Sequence, residues 1–480
     1  MSELVDLTIR DASARFLRRE VSAVELIEAT LERIEQTDPK VHAYATVMAE
    51  AARRDASRAD SDLAKGIWRG PLTGIPLALK DLVYTTEAPT EAGSRVLEGW
   101  IPSYDGAVLT RLRAAGAVIV GKTHTHEFAY GVNIPPTRNP WRLDCYPGGS
   151  SAGSGVSVAV RSAFGAIGTD GGGSIRCPGS VNGVVGLKPT NGLVSRHGVV
   201  PMSSTFDTVG PLTRTVEDSA LVLQAIAGYD AADPISHRST VPDFGAELTH
   251  GVKGLRIGID RNFFFGPRTH PDVAASAQAA LDLFADQGGS IVEVDIPDLF
   301  SVVAIAMPVI LADTTGYHRK WLRQSPDRYE PATRVMIELG EIIPATHYVM
   351  AERARRLLRE RVRATFEAER LDAMFAPTLP GPTVPVEELG LDLTDGSGES
   401  TGSSYFRQCV MANTIGIPAI SFPGGFTSGD LPIGLALFGR PFGEARMFRI
   451  ARAYEDAHPW YKRMPTFREA PVRQTAQQRS

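Results

Sequence analysis

Cysteine and lysine are scarce in this 480-residue chain: three cysteines and eight lysines, the latter against 42 arginines. Cys145, Cys177 and Cys409 are too few for a disulfide framework and cannot by themselves complete a tetrahedral zinc site. No apolar run approaches the roughly 20 residues of a membrane span; the longest, around Val302 to Ala312, is about half that. The opening MSELVDLTIRD lacks the basic-then-apolar order of a secretory signal. Positive charge is not in excess either. A net charge of -5 argues against nucleic acid as the main partner. These absences predict a cytoplasmic protein, with no nucleic acid and no membrane as partner.

What is present is ordinary globular material, 43% apolar and 22% charged. The length exceeds that at which one core usually stops growing, so two or three domains is the default. Two details matter more. Where arginine is the habitual cation, a lysine in an apolar setting stands out, because lysine can lose its proton on burial and arginine effectively cannot. Glycine is also uneven, with 13 of the 46 glycines falling between Gly148 and Gly192.

The periodicity alternates. Residues 1–65 read as helices, with a capping-box spacing at Ser22 and Glu25. Gly74–Lys80 is a short apolar strand ending at lysine. A helical segment near Asp105–Ala115 leads into a strand at Ala117–Val120. Ser151–Arg161 looks helical, and Phe164–Thr169 is a strand entering a glycine-rich turn. Strands at Leu255–Asp260 and Ile291–Val294 flank a helix starting near Pro271, and an arginine-rich helix covers about Ala345–Arg370. This pattern predicts an α/β architecture with a parallel or mixed sheet.

Two motif matches mislead. Gly116-Ala-Val-Ile-Val-Gly-Lys122-Thr123 fits the Walker A pattern, but its four intervening residues are themselves strand-like. Their N–H groups are spent on a sheet ladder rather than on phosphate. Gly149-Ser-Ser151-Ala-Gly153 fits the nucleophile elbow of α/β-hydrolases, yet loop residues, not a strand, precede it. The third match is different. Gly168-Thr-Asp170-Gly171-Gly172-Gly173-Ser174-Ile-Arg176 follows a strand, and three glycines can aim successive N–H groups at one point beside a serine.

Taken together, Gly74-Ile-Pro-Leu-Ala-Leu-Lys80-Asp81, Pro147–Ser154 and Gly168–Arg176 resemble the amidase signature family. Asn139-Pro-Trp141, Gly183–Thr190, Gly416–Ser421 and Leu431–Pro441 look like the same family, in chain order from about residue 5 to 465. The resemblance implies the amidase signature fold, a large mixed twisted β-sheet core covered by helices on both faces. It implies one domain over 1–480, with N-terminal helices over 1–65, the catalytic signature region over 70–215 and a variable loop over 381–404. The implied catalytic set is Ser174 as nucleophile, Ser150 as relay across an expected cis Gly149–Ser150 peptide, and Lys80 as base. Backbone N–H groups of Gly171, Gly172, Gly173 and Ser174 would form the oxyanion hole, with Asp170 and Arg176 fixing the loop's shape.

The chemistry agrees. A serine needs a base, and a lysine near its reference pKa of about 10.4 is useless as one. Burial at a strand end can lower that value by roughly 3–5 units. No cofactor and no metal are expected; His124-Thr-His126-Glu127 matches no standard ligand spacing. Lys122 and Lys188 are expected to be structural, and Cys177 a packing residue.

By the same resemblance the Glu127–Gly131 segment, with Phe128 and Tyr130, lines the substrate cleft; Tyr317, Phe406 and the 381–404 loop are the further pocket candidates. One subfamily, the glutaminase component of the aminoacyl-tRNA amidotransferase, holds glutamine's α-amino group with an aspartate ahead of its Ala-Asn segment. Here that position is Phe406, which cannot pair an ammonium. The expected partner is therefore a small-molecule amide or carbamate, aryl rather than glutamine, acted on by a monomer or homodimer. The competing readings are a glutaminase-type component of a larger complex and an inert scaffold protein.

Overall fold

Short apolar runs in this chain assemble into a single eleven-stranded sheet, and its strand order brings distant motifs to one edge. The computed structural model describes residues 2–130, 133–390 and 399–469. The strands are β1 (Tyr44–Val47), β2 (Pro76–Lys80), β3 (Val118–Thr123), β4 (Gly165–Asp170), β5 (Val185–Lys188) and β6 (Thr208–Thr213). Then come β7 (Arg256–Ile259), β8 (Ser290–Glu293), β9 (Ala373–Pro377), β10 (Ala419–Phe426) and β11 (Pro432–Gly439). Their order across the sheet is β1-β3-β2-β4-β6-β5-β10-β11-β9-β7-β8.

The sheet is mixed. β2 runs parallel to both β3 and β4, and β7 parallel to β8 and β9. The other pairings are antiparallel. Every residue of β2, β3 and β4 is buried, as expected of parallel strands covered on both faces. One large apolar cluster joins the N-terminal helices to β2–β6, and a second gathers around the helices Val302–Gln324 and Ala345–Ala368. The Ser22/Glu25 capping box is formed, with Ser22 N–H donating to Glu25 at 2.7 Å.

Three expectations need correction. Residues 1–65 are not wholly helical: β1 interrupts them and pairs antiparallel with β3 at the sheet edge. Four residues are too few for a periodic signal. The 381–404 segment is not all loop, since Ser400 caps a helix over Thr401–Ile415 with its hydroxyl accepting from Ser403 N–H. Residues 391–398 of that segment lie outside the described residues. Finally, the helical stretch Leu299–Gln324 is long and apolar enough to cross a membrane, although only its start reads as an apolar run. Half of its most apolar window is buried inside this protein, where Val302, Ile305, Val309 and Ile310 enter the second core.

Candidate active site

The parallel register of β2 and β4 places their C-terminal ends side by side, the position where open α/β sheets usually bind ligands. Lys80 closes β2 and is completely buried. Its Nζ donates to the hydroxyls of Ser150, at 2.7 Å, and Thr169, at 2.8 Å. Burial pushes the Lys80 ammonium down to about 7, against the opposing pull of Asp207 and Asp170.

Burial also lowers the ammonium groups of Lys122 and Lys188, the latter likewise to about 7, and what sets Lys80 apart is its partners. Lys122 is ion-paired with Asp81 at 2.8 Å and donates to Thr90, inside the strand that mimics a phosphate loop. Lys188 is pinned by the carbonyls of Pro189 and Ile417, both at 2.9 Å. Both hold architecture together. Lys80 alone of the three touches only hydroxyl groups, the partners that can return a proton.

Ser150 follows a cis Gly149–Ser150 peptide and is buried. Ser151 is not its rival. The Ser151 hydroxyl donates to Thr169 O and accepts from Thr169 N–H, tying the serine loop to β4. Ser151 N–H also donates to Ser174 O at 3.1 Å. Ser174 itself is half-buried, while Lys80 and Ser150 are fully enclosed. Lys80 and Ser150 are thus joined directly, and Ser174 is tied to the serine loop through its backbone carbonyl.

The turn after β4 is held from below. Asp170 accepts from Gly173 N–H at 2.7 Å and from Ile175 N–H at 3.2 Å. Arg176 donates to both Asp170 oxygens at 3.0 Å. Burial alone would raise the Asp170 carboxyl, but the Arg176 guanidinium and Asn413 hold it well below the usual carboxylate range. This corrects the expected oxyanion hole: Gly173 N–H is committed to Asp170, leaving Gly171, Gly172 and Ser174 with N–H groups that have no partner among the described residues.

The glycines are required by neighbours. A β-carbon on Gly172 would sit 2.5 Å from Phe406 Cε2. One on Gly173 (φ +117) would sit 2.4 Å from Cys409 Cβ.

The pocket candidates separate. Phe406 covers Gly172 and so faces the reactive turn. Tyr317 lines a cavity that also reaches Thr169. Phe128 is a correction: it is fully buried, stacked on Trp321 and edge-on to His318, because the backbone at φ +51 turns its ring into the second core. Tyr130 is buried in that same cluster. Cys177 packs in a small cluster with Tyr146 and Cys409, and burial pushes its thiol up, away from reactivity.

A family model described as Amidase matches residues 25–448. The chain belongs to the amidase family. An amidase of Pseudomonas putida is 41% identical over 97% of this chain and 99% of its own length. A glutamyl-tRNA(Gln) amidotransferase chain of Geobacter metallireducens is 39% identical over 96% of this chain and 99% of its own. The crystal structure of a bacterial aryl acylamidase of the amidase signature enzymes superposes with a TM-score of 0.85 at 26% identity, covering 95% of this chain and 97% of that one. The protein is an amide hydrolase of the amidase signature type.

Within this amidase three residues that the sequence did not single out hold the site. Thr169 shares Lys80 with Ser150. Asn413 donates to Asp170 and accepts from Arg176 Nη2 at 2.7 Å. Asp207 lies against Gly171, its Oδ1 2.6 Å from where a β-carbon there would be. Thr169 carried a local signal, its place inside Gly168-Thr-Asp170, and Asn413 served in the sequence only as the landmark Ala412-Asn413 from which Phe406 is counted.

Removing Arg176 would leave Asp170 as an unpaired buried carboxylate. Arg176→Ala is therefore expected to lower the unfolding free energy by about 3–5 kcal/mol, read from the urea midpoint at constant slope.

Proposed function

We propose that this amidase works through an acyl-enzyme on Ser174 and prefers amides that bring an aromatic or apolar group into the cleft, such as anilides, aryl amides or aryl carbamates. The observation that carries the mechanism is Lys80: buried, without a carboxylate partner in hydrogen-bond contact, and bonded only to Ser150 and Thr169. As the neutral amine it accepts a proton from Ser150, which takes one from Ser174 as the Ser174 oxygen attacks the amide carbon. N–H groups of Gly171, Gly172 and Ser174 receive the developing oxyanion. The C–N bond then breaks as the proton returns through Ser150 to the leaving amine. Water, giving its proton along the same route, cleaves the Ser174 ester and releases the acid.

Phe406 over Gly172 supports the substrate preference, since an aromatic side chain offers packing and no ionic partner. The amidotransferase relatives favour a second reading, a glutaminase-type component of a larger complex. Acetanilide and glutamine separate the two. The expected kcat/KM is higher for acetanilide, and Phe406→Asp is expected to cut it roughly 10- to 200-fold, the range for losing apolar substrate contacts. A preference for glutamine, or co-purifying partner chains that raise activity, would establish the second reading instead.

A further inference from the structure

A cavity of about 320 Å³ reaches Thr169, the partner of Lys80, and neither Ser174 nor the glycine turn is among its lining residues, although Asp207, which is, lies against Gly171. Its floor is Thr169 and Asp207; its walls include Tyr84, Tyr104, His197 and Tyr317. The size falls at the lower end of small-molecule sites, roughly 300–1,000 Å³.

The walls are an interlocked aromatic set. His197 stacks on Tyr104 with centroids 5.1 Å apart, and Tyr84 stands edge-on to Tyr104 at 5.5 Å. Trp100 continues the set from Tyr84 to the surface at 5.0 Å. Tyr104 and Trp100 are 42% and 36% exposed, so the aromatic wall reaches solvent.

The floor is anionic. Asp207 is only 8% exposed. Its Oδ2 accepts from the N–H groups of Met202, at 2.7 Å, and Ser203, at 3.0 Å. Its Oδ1 accepts no hydrogen bond among the described residues. Arg196 also lines the cavity, but its guanidinium forks onto Asp233, another lining residue, at 3.0 Å and 3.2 Å, so that pair neutralises itself and leaves Asp207 Oδ1 open. Lys80, the other cation facing Asp207, is spent on Ser150 and Thr169. An open acceptor position on a mostly buried aspartate, in a cavity lined by electron-rich rings, is complementary to an organic cation.

We infer that this cavity is a binding site for a protonated organic amine, held by Asp207 Oδ1 with its body against Tyr104 and Tyr317. Amines are what amide hydrolysis releases, and only this link to the product rests on the function proposed above.

The probe is benzylammonium, titrated calorimetrically into Ser174→Ala protein at mildly alkaline pH. Asp207 is ionised there, since burial pushes its carboxyl up only to about 6. Expected is binding that prefers benzylammonium over benzyl alcohol by roughly 10- to 100-fold, the range for a charge-assisted hydrogen bond. Asp207→Asn should remove that preference. Tyr104→Ala, at a half-exposed position that folding tolerates, and Tyr317→Leu should each weaken binding by roughly three- to tenfold.

Equal binding of the alcohol and the ammonium, or binding that survives both tyrosine changes intact, overturns the inference. Because Ser174→Ala protein is used, that failure is distinct from an absence of amide hydrolysis in the wild type. Wild-type progress curves on N-benzylacetamide that are slowed by added benzylammonium, less so in Tyr104→Ala, support the product as the occupant. Calorimetric binding without that slowing supports an amine supplied from solution.

Discussion

Ser174→Ala protein is expected to fold normally and to lose amide hydrolysis by on the order of 10⁵–10⁶ in kcat, the scale seen when a covalent nucleophile is deleted. The loss should be that large because nothing nearby can replace the hydroxyl. Ser150 is buried and bonded to Lys80, and the Ser151 hydroxyl is spent on Thr169. A fluorophosphonate gives the complementary measurement: it should label the wild type on Ser174 and leave the variant unlabelled. Label on the wild type at another serine, or unchanged turnover in Ser174→Ala, would refute the assignment. An unchanged melting temperature separates lost chemistry from lost folding.

Lys80→Arg should cost about 10²–10⁴ in kcat/KM, the usual worth of a general base, and should also erase a feature of the pH profile. In the wild type the amine works unprotonated. With the Lys80 ammonium lowered to about 7 by burial, kcat/KM is expected to fall tenfold per unit below that pH and to level off above it. Arginine stays protonated throughout, so the variant has no such limb. Lys80→Met is the companion. It matches the buried volume without a charge, and should be equally inactive yet at least as stable. A wild-type profile that stays flat through neutrality would contradict Lys80 as base.

The parts of the site legible in the sequence were the local ones. Lys80 ends an apolar run, and Ser150 and Ser174 each sit in a glycine-dense turn, so residue type and immediate neighbours carried them. Thr169, Asp207 and Asn413 were missed because their roles exist only across the sheet; Asn413 meets Asp170 over 243 residues of sequence. Phe128 shows the converse error. An aromatic two residues before Tyr130 reads as cleft lining, and only its backbone, left-handed at φ +51, sends the ring into the core. At the level of fold, the alternating strands and helices were readable from length and β-branched content. β1 was not, since its membership in the sheet is decided by pairing with β3, far off in sequence.

The burial of Lys80 has a consequence for the life of the chain before it is finished. A polypeptide is itself a string of amides, and a ribosome releases this one with Lys80, Ser150 and Ser174 in its first half. In an unfolded chain Lys80 has water around it and keeps its proton, so the nucleophile has no base. The partners that fix the turn, Phe406 and Asn413, emerge late in synthesis. The reagent is therefore armed by its own folding, and an incomplete or denatured copy is harmless to its neighbours.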